Sequence, residues 1–291
     1  MNLFSYRKRY GKRLQRLVVD GGFSCPNRDG RVATGGCTFC SNEAFHPGYT
    51  RGKSIAGQIE AGKAFHQQRG RSADGYLAYF QAFSGTYADL DTLERRYGEA
   101  LAVPGVCGLV IGTRPDCIDR EKLRLLSSLK ERGAIIEIEY GIESVYDLTL
   151  RRVNRGHDFA CTRKAFELTR EAGLEAGGHV ILGLPGETRE MLVAEADILN
   201  SLPVNWLKFH QLQIIKGTPM AREFSEHPED FLRPGPDEYV RLLADIIGRL
   251  RPDIAIARIA SSVPPRFTDA PWGLLRHEKL LRRLEERLRQ G

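Results

Sequence analysis

Predicted strands and helices alternate along most of this chain, and this alternation restricts its possible folds more than any other feature. Six β-strands are expected, at 13–20, 76–83, 106–111, 134–140, 175–182 and 206–214. Helices are expected at 54–68, 91–101, 119–132, 159–172, 188–202 and 237–250, with a further short strand possible at 254–259. The pattern predicts a parallel α/β sheet with right-handed crossovers, either doubly wound or closed into a full or partial barrel. No G-x-G-x-x-G follows an early strand, which argues against a dinucleotide-binding sheet.

A glycine-rich loop after the first predicted strand carries three closely spaced cysteines. Cys25, Cys37 and Cys40 have the spacing C-x11-C-x2-C, and no fourth ligand is evident nearby. Thiolates favour zinc, copper(I) or iron–sulfur clusters, and three protein ligands leave one position open, as in catalytic metal centres. The spacing alone leaves three interpretations: an iron–sulfur cluster, a zinc site, or three free buried cysteines.

Polar residues interrupt the predicted strands, although the strands of a purely structural parallel sheet would be almost continuously apolar. Glu137 and Glu139 share one face of the fourth strand, and Lys208 and His210 share one face of the sixth. As a set, such residues predict a polar lumen or cleft at the carboxyl ends of the strands. For each residue alone, exposure to solvent at a strand end is the alternative.

Composition limits the class of the protein. The 291 residues are 42% hydrophobic, enough for one barrel or two small domains, and no run of 18 apolar residues could span a membrane. The N-terminal residues lack the apolar stretch of a signal peptide. Six cysteines in a chain of this length indicate metal or redox chemistry in a reducing cytoplasm rather than a disulfide framework.

The net charge is +6, and positive residues are concentrated near both ends of the sequence. Residues 1–16 contain six arginines and lysines interleaved with Phe4, Tyr6 and Tyr10, and a final arginine-rich helix is expected at 276–289. The N-terminal stretch could neutralise phosphates and stack on unpaired bases, or it could be a solvated, salt-bridged face. Interspersed glutamates favour a solvated face for the last helix.

Several motifs, taken together and in this order, resemble those of one known family. They lie at 20–30, 36–40, 78–82, 111–117, 155–158, 181–188 and 216–219. On these residues the chain resembles the radical S-adenosylmethionine (SAM) superfamily, and within it the bacterial YhcC/YtqA-like group related to the catalytic subunit of Elongator. The resemblance implies a partial (β/α)6 TIM-type barrel of parallel strands at 17–221. It also implies a basic N-terminal extension at 1–16 and a helical extension at 222–291 that packs on the barrel.

The resemblance also implies a cofactor set. Cys25, Cys37 and Cys40 would hold a [4Fe–4S] cluster whose fourth iron chelates SAM. One electron from a flavodoxin- or ferredoxin-like donor would cleave SAM to methionine and a 5′-deoxyadenosyl radical, which abstracts hydrogen from the substrate. The first cysteine gap is longer than the usual C-x3-C-x2-C but matches this branch. Contacts to SAM are implied for Phe39, Gln81, Phe83, Ser84, Gly85, Glu139, Glu143, Ile181 and Gly183.

Four further residues are candidates for catalytic roles. His179 and His210 are either substrate-pocket residues or histidines satisfied within the core. Cys117 ends the third strand and either quenches or relays a radical or is a buried structural thiol. Arg114 has a guanidinium fork that suits a carboxylate or a phosphate.

Three functional hypotheses follow. The first is a radical enzyme acting on RNA, chiefly tRNA, with an accessory protein if RNA delivery requires one; its basis is the Elongator-like branch and the basic N-terminus. The second is a radical enzyme acting on a small metabolite or peptide. The third is a non-catalytic, zinc-stabilised RNA-binding protein. The polar strand ends argue against the third, because a scaffold would not need them.

Overall fold

A seven-stranded, fully parallel sheet forms the centre of the computed structural model, which describes residues 1–45, 47–268, 270–271 and 277–290. The strands are β1 (Leu14–Val19), β2 (Gly75–Phe80), β3 (Val106–Thr113), β4 (Ile135–Glu143), β5 (Glu175–Leu182), β6 (Trp206–Gln211) and β7 (Ala255–Arg258). Each strand pairs with the one that follows it in sequence, and the sheet curls into a half-barrel.

The described residues also form eleven α-helices. They are α1 (Tyr6–Tyr10), α2 (Asn42–Phe45), α3 (Ile55–Gln67), α4 (Leu90–Leu101), α5 (Arg120–Glu131), α6 (Asp147–Arg152), α7 (Phe159–Glu171), α8 (Arg189–Leu199), α9 (Pro219–Glu226), α10 (Pro236–Arg249) and α11 (His277–Gln290). Side-chain caps fix several helix starts, since Ser54, Asp89 and Asp119 accept hydrogen bonds from backbone N–H groups of the first turns of α3, α4 and α5.

The predicted α/β half-barrel is confirmed, and the structure adds one strand to the six that were expected. The segment at 254–259 forms β7, which pairs with β6 through Trp206 and Ala255 and through Lys208 and Arg258. The boundaries proposed at residues 16 and 221 stay predictions. Residue 276, assigned from the sequence to the last helix, lies outside the described residues.

Strand β4 shows why the two faces of the sheet differ. Its even-numbered positions 136–142 are buried in the hydrophobic core under the outer helices. Glu137 and Glu139 alternate with them and reach Arg16 of β1 across the lumen, at 2.9 and 2.7 Å. The half-barrel therefore has an apolar exterior layer and a charged lumen, as the polar strand positions predicted.

The N-terminal segment packs against the amino ends of the strands. The Tyr6 hydroxyl donates to a carboxylate oxygen of Glu137 at 2.9 Å, and the rings of Phe4 and Trp206 are 5.3 Å apart. The Tyr6 and Tyr10 rings stack on each other with centroids 6.1 Å apart. These partly buried aromatic rings contact one another and the base of the barrel, and stacking of RNA bases on the N-terminal segment stays a prediction.

Helix α11 has the solvated, salt-bridged face that its composition suggested. Arg283 pairs with Asp237 of α10, and Arg282 and Arg289 lie 3.9 Å from Glu286 and Glu285 on the same helix. Within the residues that the structure describes, no helix combines the length and apolar character that a membrane span requires.

Two interacting carboxyl groups are buried at α8: Glu187 precedes the helix and Glu195 lies in its middle. The Ser144 hydroxyl donates to Oε1 of Glu187 at 2.6 Å. Among the described residues, neither Oε2 of Glu187 nor Oε1 of Glu195 has a hydrogen-bond partner. Burial raises the pKa of Glu187 to about 7, and burial together with Glu187 raises the pKa of Glu195 well above its usual value. Both side chains are therefore held in the neutral form at mildly acidic pH.

This pair predicts that stability falls as pH rises from about 4.5 to about 7. Between these pH values the unfolded chain releases the Glu187 proton, whereas the folded chain keeps it. Rising pH therefore favours the unfolded state. We expect Glu187→Gln to be more stable than the wild type by up to about 3 kcal/mol at pH 8, with little difference near pH 4.5. Thermal unfolding across this range checks the prediction. The exposed Glu131→Gln is the matched control, and parallel curves for the two variants would contradict it.

Candidate active site

A cleft opens at the carboxyl ends of the strands, where the cysteine loop after β1 faces the ends of β2 to β7. It forms there because all strands of a parallel sheet end at the same edge. Nine of the predicted site residues line it together with Cys40: Phe39, Gln81, Phe83, Arg114, Glu139, Glu143, His179, Ile181 and His210. Most of the residues selected on the sequence are thus brought together.

Six predicted residues do not line this cleft, namely Cys25, Cys37, Ser84, Gly85, Cys117 and Gly183. The hydroxyls of Ser84 and Thr86 lie 2.8 and 2.6 Å from that of Thr113, and the Gly85 N–H donates to the carbonyl of Gly112 at 2.8 Å. These bonds hold the turn after β2 against the end of β3, so the turn supports the wall of the cleft. The contacts to SAM predicted for Ser84, Gly85 and Gly183 stay predictions.

Cys117 lies behind the same wall. Its side chain is buried, and its carbonyl accepts a hydrogen bond from the Thr86 hydroxyl at 2.7 Å. Burial raises the pKa of the Cys117 thiol to about 12, so the thiol is protonated at neutral pH. This is the environment of a structural cysteine, and a radical relay at Cys117 stays a prediction.

The three cysteine thiols of the loop lie close enough to influence one another. Burial raises the pKa of the Cys40 thiol, and the charges of Cys37 and Cys25 raise it further. Among the described residues, no three His, Cys, Asp or Glu side chains are arranged to hold a metal ion. The fit to an iron–sulfur cluster therefore rests on the chemistry of the donor set. Asn27 Nδ2 and Arg155 Nη1 each lie 3.6 Å from the sulfur of Cys37, as donors that stabilise a ligating thiolate.

The segment after α6 clamps the cysteine loop onto the barrel. Arg155 Nη2 donates to the carbonyl of Gly141 in β4 at 2.6 Å. The Asn154 carbonyl accepts a hydrogen bond from Asn27 at 2.5 Å, and the Asn154 side chain donates to the carbonyl of Gly36 at 2.8 Å. The position of the loop thus depends on a short segment more than a hundred residues further along the chain.

Gly156 is the tightest point of this clamp, and we expect Gly156→Ala to displace the cysteine loop. The residue has a φ of +80°, and a Cβ atom there would lie 2.6 Å from Oδ1 of Asn27. Gly173→Ala is the matched control, because its φ is +69° with no atom within 4 Å of the added carbon. The control should lose about 1–2 kcal/mol of stability and keep its cluster. Gly156→Ala should lose more stability and bind less iron, as thermal unfolding and iron analysis would show. Equal iron content in the two variants would contradict the clamp.

Arg114 lines the cleft and keeps one buried donor unused. Its Nε and Nη2 donate to the two carboxylate oxygens of Asp116 at 2.8 and 2.7 Å, and Nη2 also donates to the carbonyl of Arg155. Its buried Nη1 has no hydrogen-bond partner among the described residues. Burial acts to raise the pKa of the Asp116 carboxyl group, but Arg114 holds this pKa below its usual value. A rigid guanidinium with one unused donor is consistent with the predicted role in binding a carboxylate or phosphate.

A buried ion network fills the lumen below the cleft. Glu139 accepts hydrogen bonds from Arg16 at 2.7 Å and Lys208 at 2.6 Å, and its Oε2 lies 2.9 Å from Nε2 of His179. Burial would raise the pKa of Glu139, but Arg16 and Lys208 hold it well below its usual value. Burial lowers the pKa of Lys208 to about 7, with the charge of Arg16 acting in the same direction. Glu139 is therefore an ionised carboxylate with both oxygens engaged.

Glu143 differs from Glu139 in geometry and in its partners. It follows an irregularity in the pairing of β4 with β5 and has a φ of +64°. Its nearest cation is Arg155, at 3.5 Å. Phe83, at the opposite wall, has a φ of +56°. Backbone strain of this kind is typical of functional sites. The ribose contact implied for Glu139 and Glu143 stays a prediction, and Glu143 has the more accessible carboxylate.

The sequence interpretation missed three arginines of this region, namely Arg16, Arg155 and Arg258. Arg16 lies on the inward face of β1. Because neighbouring residues of a strand point to opposite faces, the apolar Leu17 next to it could have indicated that Arg16 faces the lumen. Arg155 was noted only within a motif. Arg258 lines the cleft at the end of β7, a strand that the sequence pattern allows but does not require.

The fold and the cleft agree with the known proteins that the chain resembles. Residues 28–199 match the Radical SAM superfamily, and residues 204–290 match the Radical_SAM C-terminal domain. The chain is 36% identical to Protein YhcC of Escherichia coli over 88% of its own length and 81% of that protein. It is 35% identical to YtqA of Bacillus subtilis, over 95% of its length and 85% of that protein.

A solved structure gives the same architecture. The archaeal Methanocaldococcus infernus Elp3 superimposes with a TM-score of 0.70 at 16% identity, over 95% of this chain. The chain spans 63% of that protein's length. At this identity the likeness concerns the fold.

The half-barrel with its cysteine-bearing loop defines a radical SAM enzyme, and this chain belongs to the radical SAM superfamily. Its homologues include the YhcC and YtqA proteins and proteins similar to Elp3. Membership in this superfamily implies a [4Fe–4S] cluster, SAM and an electron donor.

Proposed function

We propose that this chain abstracts a hydrogen atom from a tRNA nucleoside and that Cys25, Cys37 and Cys40 ligate its cluster. The observation that carries the proposal is the cleft, in which Phe39 and Cys40 of the cysteine loop face the polar ends of the strands. The tRNA assignment is supported by a relative named tRNA uridine(34) acetyltransferase, from Dehalococcoides mccartyi. It is 27% identical over 56% of this chain and 35% of that protein.

The residues of the chain have separable tasks in this proposal. The cluster and SAM together supply, when bound, the one-electron chemistry that removes a hydrogen atom. Asn27 and Arg155 direct hydrogen-bond donors at the sulfur of Cys37. Phe39 covers one side of the cleft. The Glu139 network fills the lumen below and keeps water from entering from that end.

Exposed cations beside the cleft support an RNA substrate. Arg28 and Lys216 border a shallow cavity next to the cysteine loop, and Cys37 and Cys40 also line this cavity. The Lys216 N–H donates to the carbonyl of Phe267, which brings exposed Arg266 to the same side of the molecule. Such cations can neutralise backbone phosphates next to a nucleoside that enters the cleft.

A flavodoxin- or ferredoxin-like protein is the electron donor that we propose. Radical SAM chemistry requires a one-electron reductant, and the positive charge around the cysteine loop suits an acidic partner. An accessory protein that delivers the RNA stays a prediction.

The test is an anaerobic assay of SAM cleavage with and without tRNA. Reconstituted protein is reduced with dithionite, and 5′-deoxyadenosine is quantified by mass spectrometry with total tRNA, nuclease-treated tRNA or no addition. We expect intact tRNA to increase product formation several-fold. Equal formation in the three reactions would contradict the tRNA assignment. Stimulation by a metabolite extract free of RNA would instead favour the small-molecule hypothesis.

A further inference from the structure

The wall of the cleft formed by β6 and β7 differs from the wall that carries the cysteine loop. His210 and Arg258 line the cleft on this side. Lys208 and Arg258 are register partners on neighbouring strands, so their side chains point to the same face of the sheet. Lys208 reaches Glu139 in the lumen, which places Arg258 on the lumen face above it.

The polar groups of this wall have unused hydrogen-bonding capacity. The side chain of Arg258 makes no hydrogen bond or salt bridge with any residue that the structure describes, in contrast to those of Arg16 and Arg155. The buried Nε2 atom of His210 likewise has no partner there. A buried nitrogen of this kind is costly unless a ligand completes its bonding. The side chains of Arg258 and His210 thus offer hydrogen-bonding groups that no described residue satisfies.

The guanidinium of Arg258 also pairs with no carboxylate among the described residues. Glu139 is the described carboxylate that acts on His210, and it already pairs with Arg16 and Lys208. Burial, followed by the charges of His179 and Arg258, lowers the pKa of His210 well below its usual value. His210 is therefore a neutral imidazole that can donate one hydrogen bond beside a fixed positive charge, a combination that suits an oxyanion.

We propose that Arg258 and His210 form a subsite that binds the phosphate group of a nucleotide whose base and ribose occupy the cleft. This inference rests on the proposed function, since it takes the cleft to be the site of a nucleoside substrate. Arg258 lies at the exposed rim of β7, where a phosphate can stay partly solvated while the nucleoside enters. The guanidinium fork supplies two parallel donors, which fixes the orientation of the phosphate.

The experiment compares uridine, uridine 5′-monophosphate and inorganic phosphate by isothermal titration into cluster-loaded protein saturated with SAM. We expect the nucleotide to bind about tenfold more tightly than uridine to the wild type, because charge-assisted hydrogen bonds are lost without the phosphate. Arg258→Gln should abolish this difference, and Arg258→Lys should retain part of it. The matched control is Arg124→Gln, an exposed arginine on α5 outside the cleft, which should keep the full difference.

Several outcomes would overturn the subsite. They are equal binding of uridine and nucleotide, no binding of either, or a difference that survives in Arg258→Gln. If inorganic phosphate binds as tightly as the nucleotide, Arg258 and His210 bind a free anion rather than the phosphate group of a nucleotide. If Arg258→Gln lowers the affinity for SAM as much as the affinity for the nucleotide, Arg258 contacts the cofactor rather than the nucleotide. Assays of tRNA-dependent SAM cleavage on the same preparations separate this result from the proposed function, since either can fail while the other holds.

Discussion

Replacing Cys25, Cys37 and Cys40 together with alanine is expected to give a folded protein that holds no iron–sulfur cluster and forms no 5′-deoxyadenosine. The triple variant has no thiolate left in the loop, and thiolates are the protein ligands of such clusters. The loop should keep its shape, because its turns are closed by backbone bonds such as Cys40 N–H to the Cys37 carbonyl at 3.0 Å. Iron and sulfide analysis, with anaerobic SAM cleavage, measures both losses.

The matched control is a double variant, Cys107→Ala and Cys161→Ala. Both cysteines are partly buried and lie outside the cleft, so the control should retain its iron, its sulfide and its SAM cleavage. A triple variant that still binds the cluster would refute the ligand assignment. A wild-type protein that takes up zinc but no cluster would instead support the zinc-stabilised alternative.

Removing the guanidinium of Arg16 is expected to have the largest effect on stability. Arg16 donates to Glu137 at 2.9 Å and to Glu139 at 2.7 Å, and both carboxylate side chains are fully buried. Arg16→Gln would leave Glu137 with only tyrosine donors and Glu139 with one fewer cation. Breaking a buried ion pair from one side typically costs about 3–5 kcal/mol. Urea unfolding at neutral pH measures the change.

Two further variants distinguish the loss of stability caused by breaking the buried ion network from a general effect of removing a positive charge. Arg13→Gln removes an exposed arginine just before the same strand, and its stability should change by less than about 0.5 kcal/mol. The double variant Arg16→Met with Glu137→Gln removes charge from both partners and should recover part of the loss. A loss of under about 1 kcal/mol in Arg16→Gln would mean that water replaces the guanidinium in the lumen.

The strands and the cleft could be predicted because both depend on local pattern. Alternation around Glu137 and Glu139 showed that β4 has one polar face, and the carboxyl end of the sheet brought His179 and His210 together. Helix starts such as Ser54 followed from capping chemistry. The cysteine loop was recognisable because its motif is contiguous in the sequence.

Other parts of the site depend on long-range packing that no local pattern encodes. Gly156 supports the cysteine loop because it packs closely against Asn27, a residue far from it in the sequence. Glu143 and Phe83 acquire left-handed backbone conformations from an irregular strand end and from a turn. The aromatic residues near the N-terminus have the composition of an RNA-binding surface, and no local pattern shows that the Tyr6 hydroxyl donates to Glu137, 131 residues further along the chain.

The pairing of the first residues with the last strand constrains how the chain acquires its fold during synthesis. Leu3 bridges Ile256 in parallel, with the Phe4 N–H donating to the Ile256 carbonyl at 3.0 Å. The strands β1 to β6 can be added in the order in which they leave the ribosome, since each pairs with its predecessor. The N-terminal segment is made before β7, and it can reach Glu137 and Trp206 of β4 and β6 earlier than it can pair with Ile256. The cover over the base of the lumen is therefore completed only when β7 joins the sheet, which makes the last strand the step that locks the first residues in place.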